Sequence, residues 1–277
     1  MPEAPLLPVA MQERWVTTDR GRIYTKRWIA PSAARPAAAP ILLFHDSLGC
    51  VALWRDFPEQ LARATDCDVI AYDRLGFGKS DAHPGTLRND FIHDEARVDF
   101  HNVRDQLAIR TFVAFGHSVG GGMAVGCAAA YPGDCAALIT ESAQAFVEAC
   151  TIKGITEAKE GFQQPGQIDR LKKYHGDKSA WVLHAWTDTW LAPDFAAWDL
   201  DDDLRRLQCP VLAIHGDKDE FGSLLQPRRI ADLGGDRSTL EILAQCGHVP
   251  HHEQRDIVLS LVGRWLGSQL KDGSRHS

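Results

Sequence analysis

The sequence predicts an α/β fold: a doubly wound, mostly parallel sheet with helices on both faces, opened by an antiparallel hairpin. Three observations carry that expectation. Short continuous apolar runs recur along the chain, as strands buried on both faces require. Stretches of helical period separate those runs. With 277 residues and 44% hydrophobic content, the chain is long and apolar enough to bury a large core.

In chain order, Arg14 to Thr18 and Arg22 to Trp28 are strand-like runs joined by the turn signal Asp19-Arg20-Gly21, which gives the hairpin. A loose segment rich in alanine and proline, Pro31 to Pro40, follows. Ile41 to Phe44, Val69 to Tyr72, Phe112 to Phe115, Ala137 to Ile139 and Val211 to Ile214 then read as buried parallel strands, with Thr239 to Leu243 as a last one. Leu53 to Ala64, Phe91 to Leu107, Gly122 to Tyr131 and Ile257 to Leu270 carry helical spacing. The stretch between Ile139 and Val211 is far longer than a crossover helix needs. It divides the chain into a core of residues 1–142 and 205–277 and a helical lid of residues 143–204. That lid carries Trp181, Trp186, Trp190 and Trp198, half of the eight tryptophans, which together suggest an apolar pocket roof.

Composition narrows the partners. A formal net charge of -7, a pI near 5.9 and scattered Lys and Arg argue against nucleic acid and for a small-molecule substrate. Seven cysteines, an odd number without a C-x-x-C pair, suit a reducing compartment better than a disulfide framework. The N-terminus lacks a basic region leading into a long apolar one, and no 18-residue apolar stretch occurs, so no membrane association and a cytoplasmic location are expected. Nothing in the sequence fixes the oligomeric state, which leaves a homodimer open.

The chemistry gathers at three loops, each behind an expected strand. In Gly116-His117-Ser118-Val119-Gly120 a serine stands at a strand-to-helix turn, with glycines two residues to either side that let the hydroxyl clear the backbone. His215-Gly216-Asp217-Lys218-Asp219 offers two acids after the strand ending at Ile214, and Gly247-His248-Val249-Pro250 offers a base after Leu243. Serine, acid, histidine is a chain order known for a nucleophile, an orienting carboxylate and a general base on an α/β sheet. His251 and His252 extend His248 into a string that could suggest a metal, but zinc ligands at that spacing need further Cys or His nearby, so neither metal nor cofactor is expected.

With these motifs in order, and with Asp73-Arg74-Leu75-Gly76-Phe77-Gly78-Lys79-Ser80 matching a D-x-x-G-x-G-x-S loop, the chain resembles the α/β-hydrolase superfamily over nearly its whole length. The resemblance implies Ser118 as nucleophile, His248 as base and, through the pattern G-x-x-D, Asp219 rather than Asp217 as the acid. Glu253 then braces the last helix, and His117 is structural, with a base role as its weaker alternative. It also implies an oxyanion hole from the backbone N–H of Val119 and a second donor at Ser47, the x of the family's H-G-x loop. Here that loop reads His45-Asp46-Ser47-Leu48-Gly49, and Asp46 departs from the usual glycine. An inward Asp46 carboxylate would repel a developing oxyanion or bind a polar substrate; the expected orientation is outward or bonded to backbone, a turn that aspartate tolerates. Trp186, Trp190 and Leu48 are the candidate substrate contacts.

The activity this implies is hydrolysis of an ester, thioester or lactone of a small apolar or aromatic substrate through an acyl-enzyme on Ser118. Carbon–carbon bond hydrolysis of ring-fission products is the alternative, though neither Arg74 nor Arg55 stands where a dienoate carboxylate would be anchored. A ligand-binding protein and a cofactor-free oxygenase on the same fold are further alternatives.

Overall fold

The computed structural model describes residues 8–31 and 39–273. Most of the Pro31–Pro40 segment and the first seven residues lie outside that range. Eight strands among the described residues form one sheet in the order β1-β2-β4-β3-β5-β6-β7-β8. They are β1 (Met11–Thr18), β2 (Gly21–Trp28), β3 (Ile41–Phe44), β4 (Val69–Tyr72), β5 (Phe112–His117), β6 (Cys135–Glu141), β7 (Val211–Gly216) and β8 (Ser238–Leu243). β1 and β2 form the expected antiparallel hairpin, in register from Met11↔Trp28 to Thr18↔Gly21, and β2 pairs antiparallel with β4; all later pairings are parallel.

Among the described residues eleven α-helices accompany the sheet: α1 (Phe57–Thr65), α2 (Phe91–Asp94), α3 (Asp99–Gln106), α4 (Val119–Ala130), α5 (Ala149–Phe162), α6 (Gln167–His175), α7 (Ser179–Trp190), α8 (Asp201–Arg205), α9 (Leu225–Leu233), α10 (Pro250–Glu253) and α11 (Arg255–Gly273). The continuous apolar runs arise because both faces of the sheet are covered. From β3, Leu42 and Phe44 pack toward Phe100 of α3 and Val125 of α4, while Ile41 and Leu43 pack toward Leu61 of α1 and Val262 of α11.

Two expected helices differ. The Phe91–Leu107 period is broken into α2 and α3, because two carboxyl side chains that bound the break have tertiary partners: Glu95, just past α2, accepts from the Tyr72 hydroxyl, and Asp99, the first residue of α3, accepts from the Leu75 amide at 3.0 Å. The Leu53–Ala64 stretch divides into a short 3₁₀ turn, Val51–Trp54, and α1, since Pro58 fits a first helical turn and not a helix interior. α4 begins at Val119, three residues earlier than its apolar period suggests, and α9 has no counterpart in the sequence reading. Between β6 and β7 the chain forms α5 to α8, the helical segment expected there. Among the described residues no helix is long and apolar enough to cross a membrane.

The strand order reverses direction about β3, whose neighbours are β4 on one side and β5 on the other. Loops leaving the carboxyl ends of strands beside such a reversal bound a crevice, the usual place for a ligand in an open α/β sheet.

Candidate active site

β5 passes into α4 through Ser118 alone, which adopts φ 55° and ψ −127°. A non-glycine residue holds such a conformation only where its surroundings impose it. Here the Ser118 amide donates to the Glu141 carbonyl of β6 at 2.9 Å, and the Ser118 carbonyl accepts from Gly121 at 2.8 Å. The flanking glycines are required by close approach. A Cβ on Gly116 would fall 2.0 Å from the Gly120 oxygen, and one on Gly120 would fall 2.1 Å from the Phe44 oxygen. Glycine at these two positions lets α4 cross directly over the ends of β3 and β5.

The loop after β8 brings His248 to this serine. Its Nε2 accepts from Ser118 Oγ at 3.0 Å, and its Nδ1 donates toward both Asp219 oxygens at 2.9 Å. The carbonyl oxygens of a carboxylate cannot donate, so the proton on Nδ1 leaves Nε2 free to take one. The Asp219 side chain is 0% exposed. Burial pushes its carboxyl up, but His248, together with His215 and the Phe221 amide, outweighs that and holds it below its ordinary value. Asp217 is placed differently: its Oδ1 accepts from the Gln245 amide at 2.7 Å, tying the loop after β7 to the loop after β8. Glu253 accepts from the amides of Gly247 at 2.6 Å and Val249 at 3.0 Å, gripping the chain on both sides of His248.

The loop after β3 lies against the serine from the other side. Asp46 turns back on its own backbone, its Oδ1 accepting from the Leu48 amide at 2.8 Å and its carbonyl from Gly49 at 3.2 Å. The Arg74 guanidinium adds a bond to the same carbonyl at 2.9 Å. Burial raises the Asp46 pKa, but His117 and the Leu48 amide carry it to a value below the ordinary one. Ser47 lines the space in front of Ser118. Val119, the first residue of α4, has an amide without an intrahelical acceptor.

Ser118 and His248 open on a cavity of about 200 Å³. Leu48, Trp186 and Trp190 line it, as expected from the sequence, and Ile155, Phe221 and Val249 complete an apolar wall that Gln144 and Thr151 interrupt with polar groups. The roof uses fewer tryptophans than the sequence suggested. Trp181 instead stacks on His83 and donates to the Gly85 carbonyl at 2.7 Å, and Trp198 stacks on Phe195 in the core. Gln144, whose Oε1 lies 3.4 Å from Ser118 Oγ, went unread in the sequence; its position just past β6, at the carboxyl edge of the sheet, was the available signal. Phe221, two residues beyond Asp219 and tilted against the His248 ring, was likewise unread.

Behind the serine lie His117, Glu141 and His251, whose donor atoms fall within 4.8 Å of one another and form the one group of metal-ligand types found among the described residues. Two of these donors are already turned on protein partners. His251 Nδ1 donates to Glu141 Oε2, and His117 Nε2 donates to the His248 carbonyl at 2.8 Å. That last bond commits His117 Nε2 to backbone, and the imidazole nitrogen that reaches Ser118 Oγ is His248 Nε2.

Residues 39–152 match the sequence profile of the alpha/beta hydrolase fold. The proline iminopeptidase of Lactobacillus delbrueckii subsp. bulgaricus is 24% identical over a region covering 83% of this chain and 90% of that protein. A thermophilic esterase from Thermogutta terrifontis superposes with a TM-score of 0.70 at 20% identity, covering 93% of this chain and 99% of that one. A carboxylesterase of the thaumarchaeon Nitrososphaera gargenis superposes with a TM-score of 0.74 at 18% identity, covering 94% and 100%.

Proposed function

We propose, on the premise of the alpha/beta hydrolase fold that residues 39–152 match, that the chain is a serine hydrolase acting on esters, thioesters or lactones of small apolar or aromatic substrates. The observation that carries this is the unbroken line from Ser118 Oγ through His248 to buried Asp219, with the serine facing an apolar cavity. In the proposed reaction Ser118 Oγ attacks the acyl carbon as its proton passes to His248 Nε2, and Asp219 stabilises the imidazolium. The carbonyl oxygen gains charge in front of the amides of Val119 and Ser47, donors fixed before the reaction begins. Collapse expels the alcohol, thiol or hydroxyl of an opened lactone with the proton from His248. Water, deprotonated by the same nitrogen, then releases the acid from Ser118.

Amide cleavage at an N-terminal residue is the second reading, favoured by the likeness to a proline iminopeptidase. Such a substrate carries an ammonium close to the scissile bond, and a buried ammonium needs a carboxylate. Asp46 is the sole carboxylate among the described residues lining the cavity, and it is already engaged by the Leu48 amide and faces His117. Ester cleavage therefore leads. Carbon–carbon hydrolysis of an anionic dienoate has less support still: no Arg or Lys stands among those lining residues, and the Arg74 guanidinium is spent on Asp46. A cytoplasmic location is in keeping with seven cysteines, an odd number without a C-x-x-C pair.

The test is labelling by a fluorophosphonate probe, with mass spectrometry to locate the adduct, followed by turnover of p-nitrophenyl butyrate and proline p-nitroanilide. An adduct on Ser118 and ester turnover exceeding anilide turnover are expected. Ser118→Ala is expected to abolish both labelling and turnover, and wild-type ester hydrolysis by that variant would overturn the assignment.

A further inference from the structure

His117 stands at the end of β5, next to the serine, 2% exposed, and its ring meets both loops that flank the reaction. Its Nε2 donates to the main-chain carbonyl of His248 at 2.8 Å, and a carbonyl can only accept, so that nitrogen carries a proton. Its Nδ1 lies 3.5 Å from Asp46 Oδ2 and has no hydrogen-bond acceptor among the described residues. A lone pair on Nδ1 would face a carboxylate; a proton there turns the same approach into an ion pair. The groups around the ring are Asp46 from the loop after β3, Glu141 from β6, and His248, His251 and His252 from the loop after β8 and α10. Glu141 Oε1 is buried without a hydrogen-bond partner, so two carboxylates bear on one imidazole.

We propose that His117 is a positioning residue, an imidazolium that fixes the loop carrying Ser47 against the loop carrying His248, with Asp46 supplying its counter-charge. The inference rests on the hydrolase reading above. It also accounts for the aspartate in place of glycine: paired with His117, Asp46 presents no net charge to an oxyanion forming in front of Ser47. The two loops leave β3 and β8, which lie on opposite sides of β5 and, for β8, three strands away from it. One ring thus spans a separation that no single strand pairing controls. Burial alone would lower the pKa of His117, but Asp46 and Glu141 reverse this and raise it to about 9. Above that pH the ring loses its hold on Asp46 while keeping its bond to the His248 carbonyl, so turnover falls on the alkaline side.

The full-length protein is titrated by NMR of its 15N-labelled histidine rings, as wild type and as Asp46→Asn, and kcat and KM for p-nitrophenyl butyrate are followed across the same pH range. His117 is expected to titrate near 9 in the wild type and about tenfold or more weaker in proton affinity in Asp46→Asn. The alkaline limb of kcat should move down with it while KM changes little. His117→Gln, which keeps an amide donor toward the His248 carbonyl, should lower kcat by about tenfold to a hundredfold and lose that limb. A His117 ring neutral at pH 7 in the wild type overturns the proposal irrespective of activity. So does an alkaline limb left in place by Asp46→Asn. If Ser118 takes the probe while the limb does not move, the positioning role fails and the hydrolase stands. If Ser118 is inert and no ester turns over, the hydrolase reading fails, and the ring titration alone decides the ion pair.

Discussion

Asp217 and Asp219 sit two residues apart in one loop and face opposite duties. Asp219 is enclosed with His248 and His215, whereas Asp217 reaches across to the Gln245 amide. Under the proposed mechanism Asp219→Asn removes the charge that favours the imidazolium and disturbs the tautomer of His248, so kcat should fall by about 10³- to 10⁴-fold. Asp217→Asn, which keeps an acceptor for Gln245, should stay within about threefold of wild type, since it touches no reacting atom. Steady-state kinetics on both variants check the pair, and equal losses would dissolve the distinction. These residues were legible because each lies behind a strand in a motif of fixed spacing. The Asp46–His117 pairing was not, because its members are separated by about a quarter of the chain and only the sheet order joins them. Gln144 and Phe221 were missed for the same reason: a polar or aromatic residue in a loop carries no periodic signal, and its role depends on what other loops bring beside it.

Among the elements, the strand-to-helix turn at Ser118 is the most constrained. Gly120→Ala would drive a methyl group into the Phe44 carbonyl, and backbone there cannot step aside without moving β3. A loss on the order of 3 kcal/mol is expected, as for an overpacked core, together with reduced probe labelling as the turn relaxes. Chemical denaturation with and without labelling separates the two effects, and a variant of wild-type stability would show that α4 has more freedom than its approach to β3 allows. Strands were read well because burial on both faces writes an uninterrupted apolar run. Helices were read less well where a buried carboxyl with a tertiary partner overrode their period. The Phe91–Leu107 stretch has the spacing of one helix, yet Glu95 and Asp99 are drawn to Tyr72 and to the Leu75 amide, and the helix yields between them. Tryptophan spacing identified the segment between β6 and β7 as packed, but not which rings face the cavity: Trp186 and Trp190 do, and Trp181 and Trp198 do not.

Across the whole molecule, buried ionisable groups set how stability varies with pH. Burial, with Asp99 nearby, raises the Glu95 carboxyl to about 8 from an ordinary 4.5. His117 is raised to about 9 from 6.5. A raised folded pKa contributes stability that is complete below the unfolded value and lost as pH climbs through the folded one, so Glu95 weakens the fold between about 4.5 and 8 and His117 between about 6.5 and 9. Asp219, lowered, acts in the opposite sense, its contribution present above its ordinary 3.8 and lost as pH falls. The melting temperature should therefore decline from pH 6 to 9, and Glu95→Gln, which keeps the acceptor for Tyr72, should flatten the slope below pH 8. Parallel melting curves for variant and wild type would refute the Glu95 contribution. The order of the sheet carries a further consequence. Ser118, Asp219 and His248 hang from β5, β7 and β8, and β7 reaches its partner β6 only across the long helical segment, with β8 added outside it. Contacts so distant along the chain are costly in loop entropy and form late. On dilution from denaturant, secondary structure and much of the tryptophan signal should recover first, and enzymatic competence should return only when the carboxyl-terminal strand docks, making turnover a reporter of the final step of refolding.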